Sequence, residues 1–407
     1  MRHPATSMPH AVAPADEARQ AQMATPRICF VGLQNLPVLS PQYGAHGIGG
    51  EQVQQTLLAR ALKRRGFDVS MVVADYGQRD GEAVDGIMLF KAHRLEGGIP
   101  VLRFIHPRFT GLWRALGRAN ADVYYVSIAG PHLGFVALFA LLHGRRVVFR
   151  IASDADCDPA RLLIRYARDR WLYAFGLRHT AVLLAQTDQQ VLAMQEHYGL
   201  HSRVASMLVD PGGLWRPFEE RDIDVLWVGN FLPLKRPHWI LDLARRRPEL
   251  RVHVVGGAQP GHEGLFQAVA DEARSMSNVC FHGRLPYQET NHLFDRARVF
   301  VNTSEIEGFP NGYLQAWRRG TPVVTFFDPD HVVVRQGLGA AVSSMNAMAA
   351  EAGRLARSPQ DWLAAGARCR RFMDERHGED AVLAPYVQSL APWHVPTPHT
   401  PPPCMET

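Results

Sequence analysis

The chain has 407 residues, 46% hydrophobic and 20% charged, with a formal charge of +5; it is globular and too long for one ordinary core, so two domains are expected. Its five cysteines (Cys29, Cys157, Cys280, Cys369, Cys404) are odd in number, scattered and without CxxC or CxxH spacing, which speaks against a disulfide framework and against zinc. Residues 1–218 carry 24 Lys/Arg against 17 Asp/Glu and the remainder 20 against 22; the basic first half suits an anionic partner or membrane surface, while dispersed arginines without a stacking motif argue against nucleic acid.

Residues 1–26 lack the apolar core of a signal peptide and read as a disordered leader. The run 27-RICFVGL-33 predicts a buried strand, followed by a loop to 47-GIGGEQ-52 and an amphipathic helix from Glu51 to Arg65 that Gly66 closes. Strands follow at 67–74, 122–127, 145–152 and 180–187, alternating with helices. The apolar stretch 123–142 has about the length of a bilayer span, yet Gly130, Pro131 and His132 divide it into a strand, a turn and a helix. After a Pro/Gly-containing linker at 208–222, the pattern restarts with strands at 223–229, 251–257, 278–283 and 298–304 and a helix at 237–247. A helix from about Asn311, stopped by Gly320 and Pro322, leads into a strand at 321–327. The last helix, within 376–391, could cross back to the first domain, and proline-rich 392–407 reads as a disordered tail. Such alternation forces parallel sheets with helices on both faces, giving an α/β protein of two doubly wound domains, 27–207 and 223–375, that face each other across a cleft. Ligands of such sheets sit at the carboxyl ends of the strands.

Three loops at those ends carry chemistry. Gly47, Gly49 and Gly50 precede the first helix, where bare N–H groups favour an anion or a close ligand, although neither GxGxxG nor GK[ST] is present. The loop 229-GNFLPLKRP-237 offers Lys235 and Arg236 ahead of a helix, cations suited to a diphosphate. The loop 304-SEIEGFPN-311 presents Glu305 or Glu307 beside Gly308 at another helix start, with Gln315 one turn inside that helix. The acids of 154-DADCD-158 invite a metal reading, but Pro159 and Arg165 occupy the positions where a calcium loop needs Gly and Glu, so a solvated loop is expected. The histidines His46, His132 and His282 have no ligand spacing, and His132 could face an acceptor.

The run 303-TSEIEGFPNGYLQAWRRGTPVV-324 resembles the donor-binding signature of the family 4 retaining glycosyltransferases, in the glycosyl transferases group 1. The loop 225–237, the strands 252–257 and 278–287, and the segment 48–69 are similar to further parts of that family, so the likeness spans about residues 27–345. The resemblance implies a GT-B fold and metal-independent transfer of a sugar from a UDP- or GDP-sugar, with no cofactor, to a glycan or lipid-linked acceptor, with retention. It implies a cytoplasmic protein, peripheral at the inner membrane face, working in cell-surface polysaccharide synthesis. Glu307 and Lys235 would be catalytic, Glu307 at the donor sugar and Lys235 at the diphosphate; Gly49, Gly50, Asn230, Arg236, Gly308, Phe309, Pro310, Asn311 and Gln315 would line the donor pocket. Ser153 and Asp154, like His132, would lie on the acceptor side. Three places depart from the family pattern: Gln315 stands where a second Glu is usual, Asn230 where an Arg is usual, and Ser153 and Asp154 occupy the region after the strand at 149–152 where a histidine is often found. Asn230 and Gln315 motivate one alternative, a non-catalytic nucleotide- or glycan-binding partner subunit; a sugar-nucleotide epimerase of the same fold is another.

Overall fold

The computed structural model describes residues 25–44, 49–99, 102–210, 212 and 215–390. The leader through residue 24, the tail from 391, His46 and Gly47 lie outside the described residues.

The first sheet has eight strands in the order β3-β4-β2-β1-β5-β6-β7-β8. They are β1 (Arg27–Val31), β2 (Asp68–Val73), β3 (Ala83–Val84), β4 (Ile87–Lys91), β5 (Val123–Ser127), β6 (Arg146–Arg150), β7 (Val182–Ala185) and β8 (Arg203–Val204). All pairs are parallel except β3 with β4. Successive β1 side chains serve opposite faces: Cys29 and Val31 join one core, Ile28 and Phe30 the other. Burial on both faces is why these strands read as continuous apolar runs. Helix α1 (Gly50–Arg64) covers the β1–β2 region, and Gly66 ends it in the left-handed region at φ 85°. Helices α2 (Thr110–Ala119), α3 (Pro131–Leu142), α4 (Ala167–Arg178) and α5 (Asp188–Tyr198) complete the unit. The long apolar stretch is indeed β5 followed by α3, and no described helix is long and apolar enough to cross a membrane.

The second sheet is wholly parallel, in the order β11-β10-β9-β12-β13-β14. Its strands are β9 (Ile223–Val228), β10 (Val252–Val255), β11 (Val279–Gly283), β12 (Ala297–Asn302), β13 (Val323–Thr325) and β14 (Gly339–Ala341). Helices α6 (His238–Arg246), α7 (Glu263–Arg274), α8 (Tyr287–Arg296), α9 (Asn311–Arg318), α10 (Met345–Arg357) and α11 (Pro359–Arg376) flank it. Because β9 pairs with β12, the two charged loops singled out above leave the same edge side by side.

Helix α12 (Glu379–Leu390) returns to the first sheet. Val382, Leu383, Tyr386 and Leu390 are buried with Ile28, Phe30 and Tyr125, and Arg64 meets Glu379 at 2.8 Å. The chain therefore crosses between the two sheets twice, once after β8 and once after α11.

The acids at 154–158 form a buried turn, which corrects the expectation of a solvated loop. Asp156 is 7% exposed; its carboxylate accepts the Ala152 and Ser153 N–H groups at 3.0 and 3.1 Å, and Cys157 is fully buried. Burial pushes the Asp156 carboxyl up to about 7, against those two bonds. A carboxyl raised in the folded state binds its proton more tightly than the unfolded chain does, so stability falls as pH rises from about 4 through 7. Over the last pH unit below 7 the loss is about 1 kcal/mol, and Asp156→Asn is expected to flatten that part of the melting-temperature profile between pH 6 and 8.

Candidate active site

Where the carboxyl edges of the two sheets face each other lies a cavity of about 320 Å³. Its second-sheet wall is built from loops that follow β9, β10, β11 and β12, and its other wall from the start of α1 together with Ala152 and Gln186 after β6 and β7.

The loops after β9 and β12 are joined before their side chains meet. Trp227 Nε1 donates to Thr303 Oγ1 at 2.9 Å, Thr303 Oγ1 donates to the Lys235 carbonyl at 2.6 Å, and Glu305 N donates to the Leu234 carbonyl at 2.8 Å. Thr303 and Ser304 are buried, so the polar end of β12 is a scaffold for the neighbouring loop. Held this way, Lys235 and Glu307 form a direct ion pair through Nζ and Oε1, both half-buried or better, on the cavity wall. Asn302 Nδ2 lies 3.4 Å from the same carboxylate oxygen. The cation and acid proposed from sequence thus face one space.

Gly49, Gly50, Asn230, Gly308, Phe309, Pro310, Asn311 and Gln315 also line the cavity. Two glycines permit contacts between the domains. A Cβ on Gly50 would lie 2.3 Å from Asn311 Nδ2, and one on Gly308 would lie 2.5 Å from the Ala152 carbonyl and 2.4 Å from Gln186 Oε1. The same loop is tied across the cleft: Gln186 Oε1 accepts the Phe309 N–H, and Asp154 N donates to the Glu307 carbonyl at 2.9 Å. Gln54 Nε2 donates to Asn311 Oδ1 at 2.8 Å, and Asp330 accepts the Asp188 and Gln189 N–H groups at the start of α5 at 2.8 and 3.1 Å. Gln315 is 8% exposed, and Tyr287 lines the cavity with it.

Arg236 does not join Lys235, a correction to the sequence reading. Its backbone is left-handed at φ 47°, which turns the guanidinium onto Glu305 at 2.7 Å and over the Trp239 ring at 4.6 Å, away from the cavity lining. Glu305 is accordingly the outward acid of the pair and Glu307 the inward one. Of the acceptor-side residues, Ser153 Oγ accepts the Ala155 N–H at 3.3 Å and Asp154 accepts the Gln190 amide at 2.9 Å, so both brace the turn beside the cavity. His132 donates through Nε2 to the Ser127 carbonyl at 3.2 Å and lines a different cavity, described below.

Sequence reading missed Arg284, Tyr287 and Glu51 as lining residues. Arg284 follows β11, and its Nη2 donates to the Ala258 carbonyl at 2.8 Å. Glu51 is paired with the buried Arg150 at 3.0 Å; burial pushes its carboxyl up and Arg150 opposes that shift. The position of Glu51 directly after the glycine loop was the available signal; nothing local marked Arg284, which a non-adjacent strand carries to the cavity.

Two family models match the chain: "Glycosyl transferases group 1" over residues 222–358 and "Glycosyl transferase 4-like domain" over residues 49–207. A curated relative, D-inositol 3-phosphate glycosyltransferase from Mycobacterium bovis, is 24% identical over 344 residues, covering 73% of this chain and 68% of its own length. Among solved structures, sucrose-phosphate synthase from Thermosynechococcus elongatus superposes with a TM-score of 0.69 at 15% identity, covering 89% of this chain and 98% of that one. HepE from Anabaena, solved with UDP and glucose, gives a TM-score of 0.69 at 14% identity over 90% and 99%. The likeness to these structures shows the GT-B fold of two Rossmann-like domains.

Proposed function

Because the chain belongs to the group 1 glycosyl transferases and therefore transfers sugars, we propose that it is a retaining, metal-independent enzyme that takes its sugar from a UDP- or GDP-sugar in the cavity between the two sheets. The observation that carries this reading is the Lys235–Glu307 pair on the wall of a cavity that both domains line. A diphosphate entering beside Lys235 exchanges Glu307 for phosphate oxygens as the partner of the ammonium, which frees the carboxylate to accept a donor-sugar hydroxyl. Charge on the departing diphosphate is then met by Lys235, by Arg284 and by the N–H groups at the start of α9, so the rate enhancement comes from positioning and preorganised charge. Arg284 supplies the positive charge that Asn230 lacks, which favours catalysis over the reading as a non-catalytic partner subunit. Gln315 is a neutral acceptor for a ribose hydroxyl.

The acceptor is proposed to be a glycan or lipid-linked sugar of a surface polysaccharide. Support comes from a second cavity, about 710 Å³, at the carboxyl edge of the first sheet; Arg103, Arg108 and His132 line it together with Phe104, Phe135 and Tyr166. Around it the segments 102–109 and 161–171 meet where the Arg168 guanidinium lies over Phe104. Ile99, Leu102, Ile105, Leu163 and Trp171 are exposed there, beside exposed Arg103, Arg161, Arg165 and Arg170. Apolar groups interleaved with arginine suit the interface of an anionic membrane. Sedimentation with vesicles containing anionic lipid is expected to carry the protein down at low salt and to lose it at high salt; equal recovery with neutral vesicles would refute the membrane reading.

The decisive test combines a panel of nucleotide sugars in a thermal-shift screen with product analysis by NMR. One nucleotide sugar is expected to raise Tm, and at 100 times its Kd the stabilisation is about 2.7 kcal/mol. The product should keep the donor's anomeric configuration. Inversion would overturn the retaining assignment; firm nucleotide binding without transfer would restore the partner-subunit reading; and conversion of the donor without an acceptor would favour an epimerase.

A further inference from the structure

Apart from the cavities, His253, Cys280 and His282 form a separate cluster on the outer edge of the second sheet. β10 and β11 are parallel neighbours, with β11 at the edge, and His253 is the register partner of Cys280. His282 lies two residues after Cys280, so strand alternation returns it to the same face. The three donor atoms lie within 4.8 Å of one another, and His253 Nδ1 and His282 Nε2 share a hydrogen bond of 3.0 Å. Two imidazole nitrogens bound to one tetrahedral zinc at 2.0–2.1 Å stand about 3.3 Å apart, so this pair needs only a small adjustment. Cys280 is exposed, whereas Cys29, Cys157 and Cys369 are buried. We propose that His253, Cys280 and His282 bind a zinc-class divalent cation, with water as the fourth ligand.

The surroundings are compatible with metal binding. The hydrogen bond between the two rings places one proton between the ligating nitrogens, and a shift of that proton to its ring's other nitrogen frees both lone pairs for the ion. Arg296, a cation that acts on both histidines, is itself paired with Asp222 at 2.8 Å. Two imidazoles and a thiolate are the ligand set of zinc and cobalt rather than of magnesium or calcium. Bound there, the ion would staple the edge strand to its neighbour, just upstream of the loops that carry Gly256, Gly257 and Arg284 to the active-site cavity.

The test uses untagged, chelator-treated full-length protein titrated with Zn²⁺ by calorimetry and with Co²⁺ by absorption spectroscopy. One equivalent is expected to bind, Co²⁺ giving a thiolate-to-metal charge-transfer band, and Zn²⁺ protecting Cys280 from a thiol reagent. His253→Ala and His282→Ala should each weaken Zn²⁺ binding by more than the about 10–100-fold that outer-shell changes cost, and Cys280→Ser should abolish the charge-transfer band. Circular dichroism of each variant checks that it folds. No stoichiometric binding, or binding unchanged in folded His253→Ala and His282→Ala, would overturn the site; neither result bears on sugar transfer, which Lys235→Ala probes separately.

Discussion

Lys235→Ala is expected to lower kcat by about 10²–10³-fold, the cost of removing one preorganised group that stabilises charge developing in the transition state. Glu307→Ala is expected to fall by a similar factor, because the two side chains are a unit: each single change leaves its partner as an uncompensated half-buried charge. The double variant should therefore lose much less than the product of the two single effects. Lys235→Arg is not a rescue, since a planar fork does not replace a compact ammonium in the space beside Glu307. Steady-state kinetics of the four proteins with one donor close the cycle. Single variants that retain full activity, or strictly multiplicative losses, would show that the pair does not act together on one substrate.

Gly308→Val is the second change with a large expected effect. The new side chain would push against the Ala152 carbonyl and Gln186 from the opposite domain, at a position where even a Cβ meets oxygen at 2.5 Å. The strain is relieved by separating the domains, which breaks the Phe309–Gln186 and Glu307–Asp154 bonds across the cleft. Misplacing the loop 304–311 by about 1 Å is expected to cost roughly 10²-fold in rate, with Tm lowered by only about 2–4 °C because neither core is disturbed. Small-angle scattering should report a larger radius of gyration than for the unmodified protein. Unchanged scattering together with unchanged kcat would mean that the close approach at Gly308 is dispensable.

Much of the fold was legible because its signals are local. The division of residues 123–142 at Gly130-Pro131 into β5 and α3, the closure of α1 at Gly66 and the start of α9 at Asn311 follow from glycine, proline and apolar periodicity, and all stand in the structure. The GT-B architecture and the family likewise followed from the run 303–324 and its companions. Individual side chains were harder. Arg236 and Lys235 are adjacent in sequence, but a left-handed backbone at Arg236 sends the two cations to different acids. The acids at 154–158 looked solvated because composition alone does not report that two backbone N–H groups hold Asp156 in the interior.

By itself the amino-acid sequence determined the alternation of strands and helices, the parallel sheets that such alternation forces, and the placing of Lys235 and Glu307 on loops at the strands' carboxyl ends. Those outcomes depend on neighbours a few residues apart, which a linear chain displays. Only the tertiary structure decided which loops are adjacent, because strand order is a non-local choice: β9 beside β12 brings Lys235 to Glu307, and β10 beside β11 brings His253 to Cys280. Arg284 at the cavity between the sheets and α12 on the first sheet are set in the same way, by packing between segments far apart in the chain.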